Sequence, residues 1–134
     1  MDMHVIDEAQ LEEFLDMDDD EERSFTTDLL NKFFAETEEL LPAMQALLAH
    51  HDLEELSRKG HFIKGSAAML GAAQVRDIAN QIQHYEPLVK ERFTEGMVPS
   101  QIDFELFVRD RLQELGPAVA AFKNAIGRRV SRVF

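Results

Sequence analysis

The chain has 134 residues, one ordinary domain's worth and too few for two. Hydrophobic residues are 45% and charged residues 30% of the total, which supplies a packed core and argues against whole-chain disorder. With 14 Lys+Arg against 26 Asp+Glu the formal charge is −12, a field that repels nucleic acid and anionic membranes, and the lack of Cys excludes disulfides, thiolate metal sites and cysteine nucleophiles.

The first residues, through Phe14, lack the basic region and apolar core of a signal peptide and are not Arg-rich like a transit peptide. No apolar run approaches the roughly 20 residues needed to span a bilayer. The expected location is therefore intracellular. Few Gly or Pro interrupt the chain, and its long segments carry helical periodicity, so the expected fold is all-α.

A short first helix fits residues 7 to 15, with Asp7 as N-cap and Leu11, Phe14 and Leu15 along one side. The acidic run Asp16, Asp18, Asp19, Asp20, Glu21 and Glu22 follows as a loop and helix start, where carboxylates suit the positive end of the dipole. It is no calcium loop, because Glu21 stands where Gly is needed and Thr27 where the bidentate Glu belongs. A second helix spans about 24–50 with Leu29, Leu30, Phe33, Phe34, Leu40, Leu41, Met44, Leu47 and Leu48 as its stripe. Pro42 inside it predicts a kink. Asp52 caps a third helix, about 52–70, with Gly71 at the left-handed position beyond it.

A fourth helix covers about 74–92 around Val75, Ile78, Ala79, Ile82 and Val89, with Pro87 as a bend. After a loop, Ser100 and Asp103 form a capping-box start for a last helix, about 100–130, which Gly116-Pro117 is expected to split in two. Four long amphipathic helices with short connections predict an antiparallel four-helix bundle in a single domain, 1–134, with the short helix capping one end. The stripes are consumed within the bundle, and the charge opposes self-association, so a monomer is expected.

The third helix carries the chemistry. At 100° per residue, Leu56, Ile63 and Leu70 share its core side, and His61 lies about 140–180° away, facing solvent. Ser57, Lys64, Gly65 and Ala68 are its neighbours at helical spacing. Gly60 and Gly65 each cost about 1 kcal/mol relative to Ala inside a helix. Gly65 leaves free backbone beside the imidazole, where a partner can approach. An imidazole near neutral pH is a usable nucleophile, and the Lys64 ammonium would stabilise an anionic group upon it. The residues alone also fit a surface histidine and lysine on a solvated face, with the glycines serving helix packing.

The stretch His61-Phe62-Ile63-Lys64-Gly65-Ser66-Ala67-Ala68-Met69-Leu70-Gly71 resembles the signature of histidine-containing phosphotransfer (HPt) domains. In that signature His, Lys, Gly, Ser and the final Gly stand in this register. Gly60, the segment Ile82-Gln83-His84-Tyr85 and Met17 ahead of the second helix are similar to the free-standing fungal phosphorelay proteins. The resemblance implies that His61 is the phosphoacceptor and Lys64 the phosphate-stabilising cation. It also implies that Gly65 gives steric access, Gln83 hydrogen-bonds near the imidazole and Ser66 buttresses the helix pair. Phe14, Met17 and Phe62 would form an exposed apolar rim for docking a receiver domain, the other Phe residues being core. Pro42 and Gly116-Pro117 depart from the family pattern.

His50 and His51 are adjacent at a helix end and cannot share one face, so a metal site there is not expected; His84 and His4 read as surface histidines. There is no glycine-rich phosphate loop of either the P-loop or the kinase kind, hence no visible means of binding ATP. The phosphoryl group must come from one protein and go to another. The implied partners are the receiver domains of a hybrid sensor kinase and of response regulators, with no cofactor of the chain's own and Mg²⁺ held by the receiver. The implied location is the cytoplasm, with the nucleus as a second compartment. A receiver-docking module that transfers nothing, and a receiver phosphatase using the same residues, are the alternatives.

Overall fold

The computed structural model describes residues 4–18 and 24–130. All regular structure among these residues is helical: α1 (Glu8–Leu15), α2 (Ser24–Ala49), α3 (Leu53–Leu70), α4 (Ala73–Gln83), α5 (Tyr85–Lys90) and α6 (Gln101–Gly127). None of these helices is long and apolar enough to cross a membrane. In the bundle, α2 packs on α3, α3 on α4, α4 on α6 and α6 back on α2. Consecutive helices joined by short connections run antiparallel, so the four close one core.

The core follows from the stripes. Leu56, Ile63 and Leu70 of α3 meet Val75, Ile78 and Ile82 of α4, all with 1% exposure or less. Across the bundle, the rings of Phe33 and Phe34 on α2 meet Phe122 of α6 at centroid distances of 6.2 and 5.9 Å. The Phe33–Phe122 pair is edge-on at 88°, a geometry that adds to the burial of its area. Phe25 is an exception to the reading of the remaining phenylalanines as core, since its ring is half exposed.

Each expected cap is made. Asp7 accepts from the Gln10 N–H and Asp52 from the Glu55 N–H, while Ser100 and Asp103 close a reciprocal box. Asp18 Oδ2 accepts from the Thr26 N–H at 3.0 Å, which puts one carboxylate of the acidic run at the start of α2. Asp19, Asp20, Glu21 and Glu22 lie outside the described residues.

Gly71 ends α3 at φ 78°, and there a Cβ would stand 2.8 Å from Leu11 N and 3.0 Å from Asp7 O. Only glycine permits that approach. It lets Asp7 N–H donate to Gly71 O at 2.8 Å, seating α1 over the end of α3. Arg129 grips Glu8 through both guanidinium nitrogens, at 2.5 and 2.6 Å, tying α1 to the chain beyond α6.

Two expectations about helix continuity are corrected. The last helix is not split at Gly116-Pro117, because α6 runs through both residues; α2 likewise runs through Pro42. The fourth helix, expected to continue to residue 92, instead breaks at His84 into α4 and α5. Proline removes the bond to the carbonyl four residues back. For Pro42 and Pro117 those carbonyls belong to Glu38 and Gln113, both exposed residues. For Pro87 the carbonyl belongs to Gln83, at the α3–α4 contact. There the helix ends, and Gln83 O accepts from Ser57 Oγ at 2.7 Å instead.

Candidate functional site

His61 projects from the solvent face of α3, one residue from half-exposed Phe62 and two from the fully buried Ile63. Its ring is not isolated. Gln83 Nε2 lies 3.0 Å from His61 Nδ1, and Lys64 Nζ donates to Gln83 Oε1 at 3.1 Å. One amide thus joins the imidazole to the ammonium, with Gln83 reaching over from the end of α4. Beside them, a Cβ placed on Gly65 would meet nothing within 4 Å, so the backbone next to His61 is open.

The backbone beneath Gln83 is held from two sides. The Ser57 hydroxyl, one turn before His61, donates to Gln83 O. Gly60 lies so close to α4 that a Cβ on it would stand 2.9 Å from Ala79 O, 3.0 Å from Gln83 N and 3.2 Å from Ile82 Cγ2. The two glycines flanking His61 therefore do different work: Gly60 lets two helices approach, and Gly65 leaves room for something else.

Chemically, the cluster offers an exposed imidazole, a cation two hydrogen bonds away through the Gln83 amide and an unobstructed approach. Engagement of Nδ1 by Gln83 leaves Nε2 as the ring nitrogen open to a reacting atom.

The structure brings His61, Lys64, Gly65 and Gln83 together. It does not bring Phe14 onto an exposed apolar rim. Phe14 is 1% exposed, its ring turned with Leu11 into the core from the inner side of α1. Met17 and Phe62 are 58% and 50% exposed. Phe62 lies on the α2 side of α3, where it borders two adjoining hollows of about 510 and 220 Å³ between the helices, with Leu40 and Ala43 in one and Met69 in the other. Ser66 also lines the smaller hollow, facing α2 and not α4. Met69, 46% exposed, is an apolar surface residue that sequence reasoning missed. Its signal was present, for it stands seven residues after Phe62 and so on the same helix face. Ser57 was noticed only as a neighbour of His61; the clue to its bond was Pro87, four residues after Gln83.

His50 and His51 stand at the α2–α3 turn, at the other end of the segment that leads to His61, while His84 directly follows Gln83. His51 sits at φ 62° in the α2–α3 turn with Nδ1 2.7 Å from Glu105 Oε1. This hydrogen bond holds the Glu105 carboxyl below its ordinary pKa. His84 occupies the break between α4 and α5.

A family model described as "Hpt domain" matches residues 28–118. The chain is 37% identical over 87 residues to the Multistep phosphorelay regulator 1 of Schizosaccharomyces pombe, covering 65% of this chain and 30% of that protein. It is 38% identical over 84 residues to the Phosphorelay intermediate protein YPD1 of Candida albicans, covering 63% of this chain and 45% of that one. The matches thus span less than half the length of these curated relatives. Among solved structures, the Saccharomyces cerevisiae histidine phosphotransfer signaling protein Ypd1, co-crystallised with the receiver domain of its downstream response regulator Ssk1, superposes with a TM-score of 0.81. It is 20% identical, and the match covers 99% of each chain. At that identity the likeness establishes the helical-bundle fold.

Proposed function

Because the chain belongs to the Hpt domain family, we propose that it is a phosphorelay intermediate. His61 accepts a phosphoryl group from the receiver aspartate of a hybrid sensor histidine kinase and passes it to the receiver aspartate of a response regulator. The observation that carries the proposal is the linked Lys64–Gln83–His61 cluster beside the open backbone of Gly65. Relatives named as phosphorelay intermediates, and a fold neighbour crystallised with a receiver domain, support it.

In the transfer the Nε2 lone pair attacks phosphorus and the bond to the aspartyl oxygen breaks, its electron pair leaving with the carboxylate. Charge spreads over three phosphoryl oxygens, so positioning and electrostatics dominate. The receiver supplies Mg²⁺, and Lys64 supplies a cation from this side. Gly65 leaves the space the receiver occupies, and Met17 and Phe62 dock it. A few apolar anchors in a small interface suit a protein that must release each partner. The second transfer repeats the first in reverse, so the protein is a stoichiometric carrier, acting as a monomer. It draws on no nucleotide. The location that accompanies this role is the cytoplasm, and the nucleus where a response regulator acts.

The test is to mix the protein with a receiver domain phosphorylated with labelled phosphate and follow acid-labile, base-stable label. The parent takes it up and His61→Gln does not, although its fold is retained, because exposed substitutions usually move stability by within about 0.5 kcal/mol. Lys64→Ala should slow uptake without abolishing it, and replacing His4, His50, His51 and His84 together should leave it in place. Label on a His61→Gln protein would overturn the assignment.

A further inference from the structure

We infer that Gln83 is a positioning residue that couples the Lys64 ammonium to the tautomer of His61, so that the phosphoacceptor nitrogen is held protonated until an anion draws Lys64 away. The inference rests on the reading of His61 as phosphoacceptor, and it starts from the two hydrogen bonds of one amide.

An ammonium group only donates, so the Gln83 atom 3.1 Å from Lys64 Nζ must be the amide oxygen. The amide NH₂ then faces His61 Nδ1, 3.0 Å away, and that nitrogen has to accept. A neutral imidazole carries one N–H, which is thereby placed on Nε2. In this tautomer Nε2 has no lone pair with which to attack phosphorus, while Nδ1 has one but is covered by Gln83. The resting site therefore holds its nucleophile silent.

The backbone of Gln83 is anchored, its main-chain carbonyl accepting from Ser57 Oγ at 2.7 Å and its N–H side lying against Gly60. From that anchor the side chain reaches both neighbours, and rotation of the amide about its terminal bond exchanges Oε1 and Nε2 between them. While Lys64 is engaged, rotation would set NH₂ against the ammonium, a mispairing that depresses the population by roughly tenfold or more. When a phosphoryl oxygen takes Lys64, that obstacle is gone. The amide turns over, Oε1 accepts from Nδ1–H, and Nε2 gains its lone pair beside the very anion that released it. Attack then forms the N–P bond and breaks the P–O bond to the aspartyl carboxylate, while the Nδ1 proton stays on the ring against Oε1. In the second transfer the N–P electrons return to Nε2.

Long-range ¹H–¹⁵N NMR of the unphosphorylated protein with ¹⁵N-labelled histidine, at a pH where the ring is neutral, reads the tautomer directly. The expected result is Nε2–H at His61 in the parent and in Lys64→Arg, which keeps a cation on Oε1. Lys64→Met should raise the Nδ1–H fraction several-fold. Gln83→Glu, whose carboxylate accepts from both neighbours, should reverse the ring to Nδ1–H. Nδ1–H in the parent, which needs no variant to observe, would overturn the inference. An unchanged ring in Gln83→Glu or in Lys64→Met would do the same. None of these outcomes touches the assignment of His61, which stands or falls on the labelling of His61→Gln.

Discussion

Gly60 and Gly65 lie five residues apart on α3, and alanine at each should move stability in opposite directions. Alanine gains about 1 kcal/mol over glycine inside a helix. At Gly65 the added methyl group meets nothing within 4 Å, so the whole gain is realised. In a chain of 134 residues it should raise Tm by roughly 3–5 °C. At Gly60 the methyl would stand 2.9 Å from Ala79 O and 3.0 Å from Gln83 N. Both are backbone atoms of a packed helix, with no rotamer to change. Parting α3 from α4 by a few tenths of an ångström belongs in the upper part of the 1–3 kcal/mol range for overpacking. Less the helix gain, Gly60→Ala should lose about 1–2 kcal/mol, putting the two variants about 2–3 kcal/mol apart. Urea and thermal melts followed by circular dichroism give both numbers. Phosphoryl acceptance then separates stability from function, since Gly65→Ala should be more stable yet slower, its methyl occupying the approach to His61. A destabilised Gly65→Ala, or a Gly60→Ala as stable as the parent, would refute the division of labour between the two glycines.

Phe14→Ala should cost about 3–5 kcal/mol in denaturant unfolding, as expected for removal of a ring that is 1% exposed. Met17→Ala and Phe62→Ala should leave stability within about 0.5 kcal/mol and weaken receiver binding in titration calorimetry. The Glu105 carboxyl, held down by the hydrogen bond from His51, contributes stability above the ordinary carboxylate pKa and loses it as pH falls through the lowered folded value. His51→Ala should return the Glu105 midpoint, read by carboxyl-carbon NMR, upward to the ordinary range; the accompanying change in stability is small because the pair is exposed.

Most of the bundle was legible because its signals are local. Asp7, Asp52 and Ser100 each stand just before an apolar stripe, and side-chain oxygens there satisfy helix N–H groups that have no other partner. The solvent placement of His61 follows from counting 100° steps from Leu56, Ile63 and Leu70. Phe14 was misplaced for the opposite reason. Its own spacing from Leu11 assigns it to the inner side of α1, and the family resemblance overrode that spacing. The same 100° steps separate the two glycines: Gly60, four residues after Leu56, falls on the core side of α3, and Gly65, about 180° from Leu56, falls on the solvent side. How closely Gly60 meets α4 is not local, for it depends on the α3–α4 contact.

The three prolines inside the predicted helices, Pro42, Pro87 and Pro117, show where local rules end. Each removes one helical hydrogen bond, and from sequence alone each is an equal candidate for a kink or a stop. What decides is the surroundings of the carbonyl four residues earlier. Glu38 and Gln113 are exposed residues, where water can replace the missing donor, and α2 and α6 continue past Pro42 and Pro117. Gln83 faces α3, where an orphaned carbonyl would cost about 1–3 kcal/mol unless a protein donor reached it. Ser57 reaches it, and the chain turns at His84. The break that looks like a flaw in the fourth helix thus fixes the residue whose side chain bridges Lys64 and His61. Ser57→Ala should accordingly cost about 1–3 kcal/mol in urea unfolding and also shift the His61 ring resonances, because the Gln83 backbone it frees carries the amide that meets Nδ1.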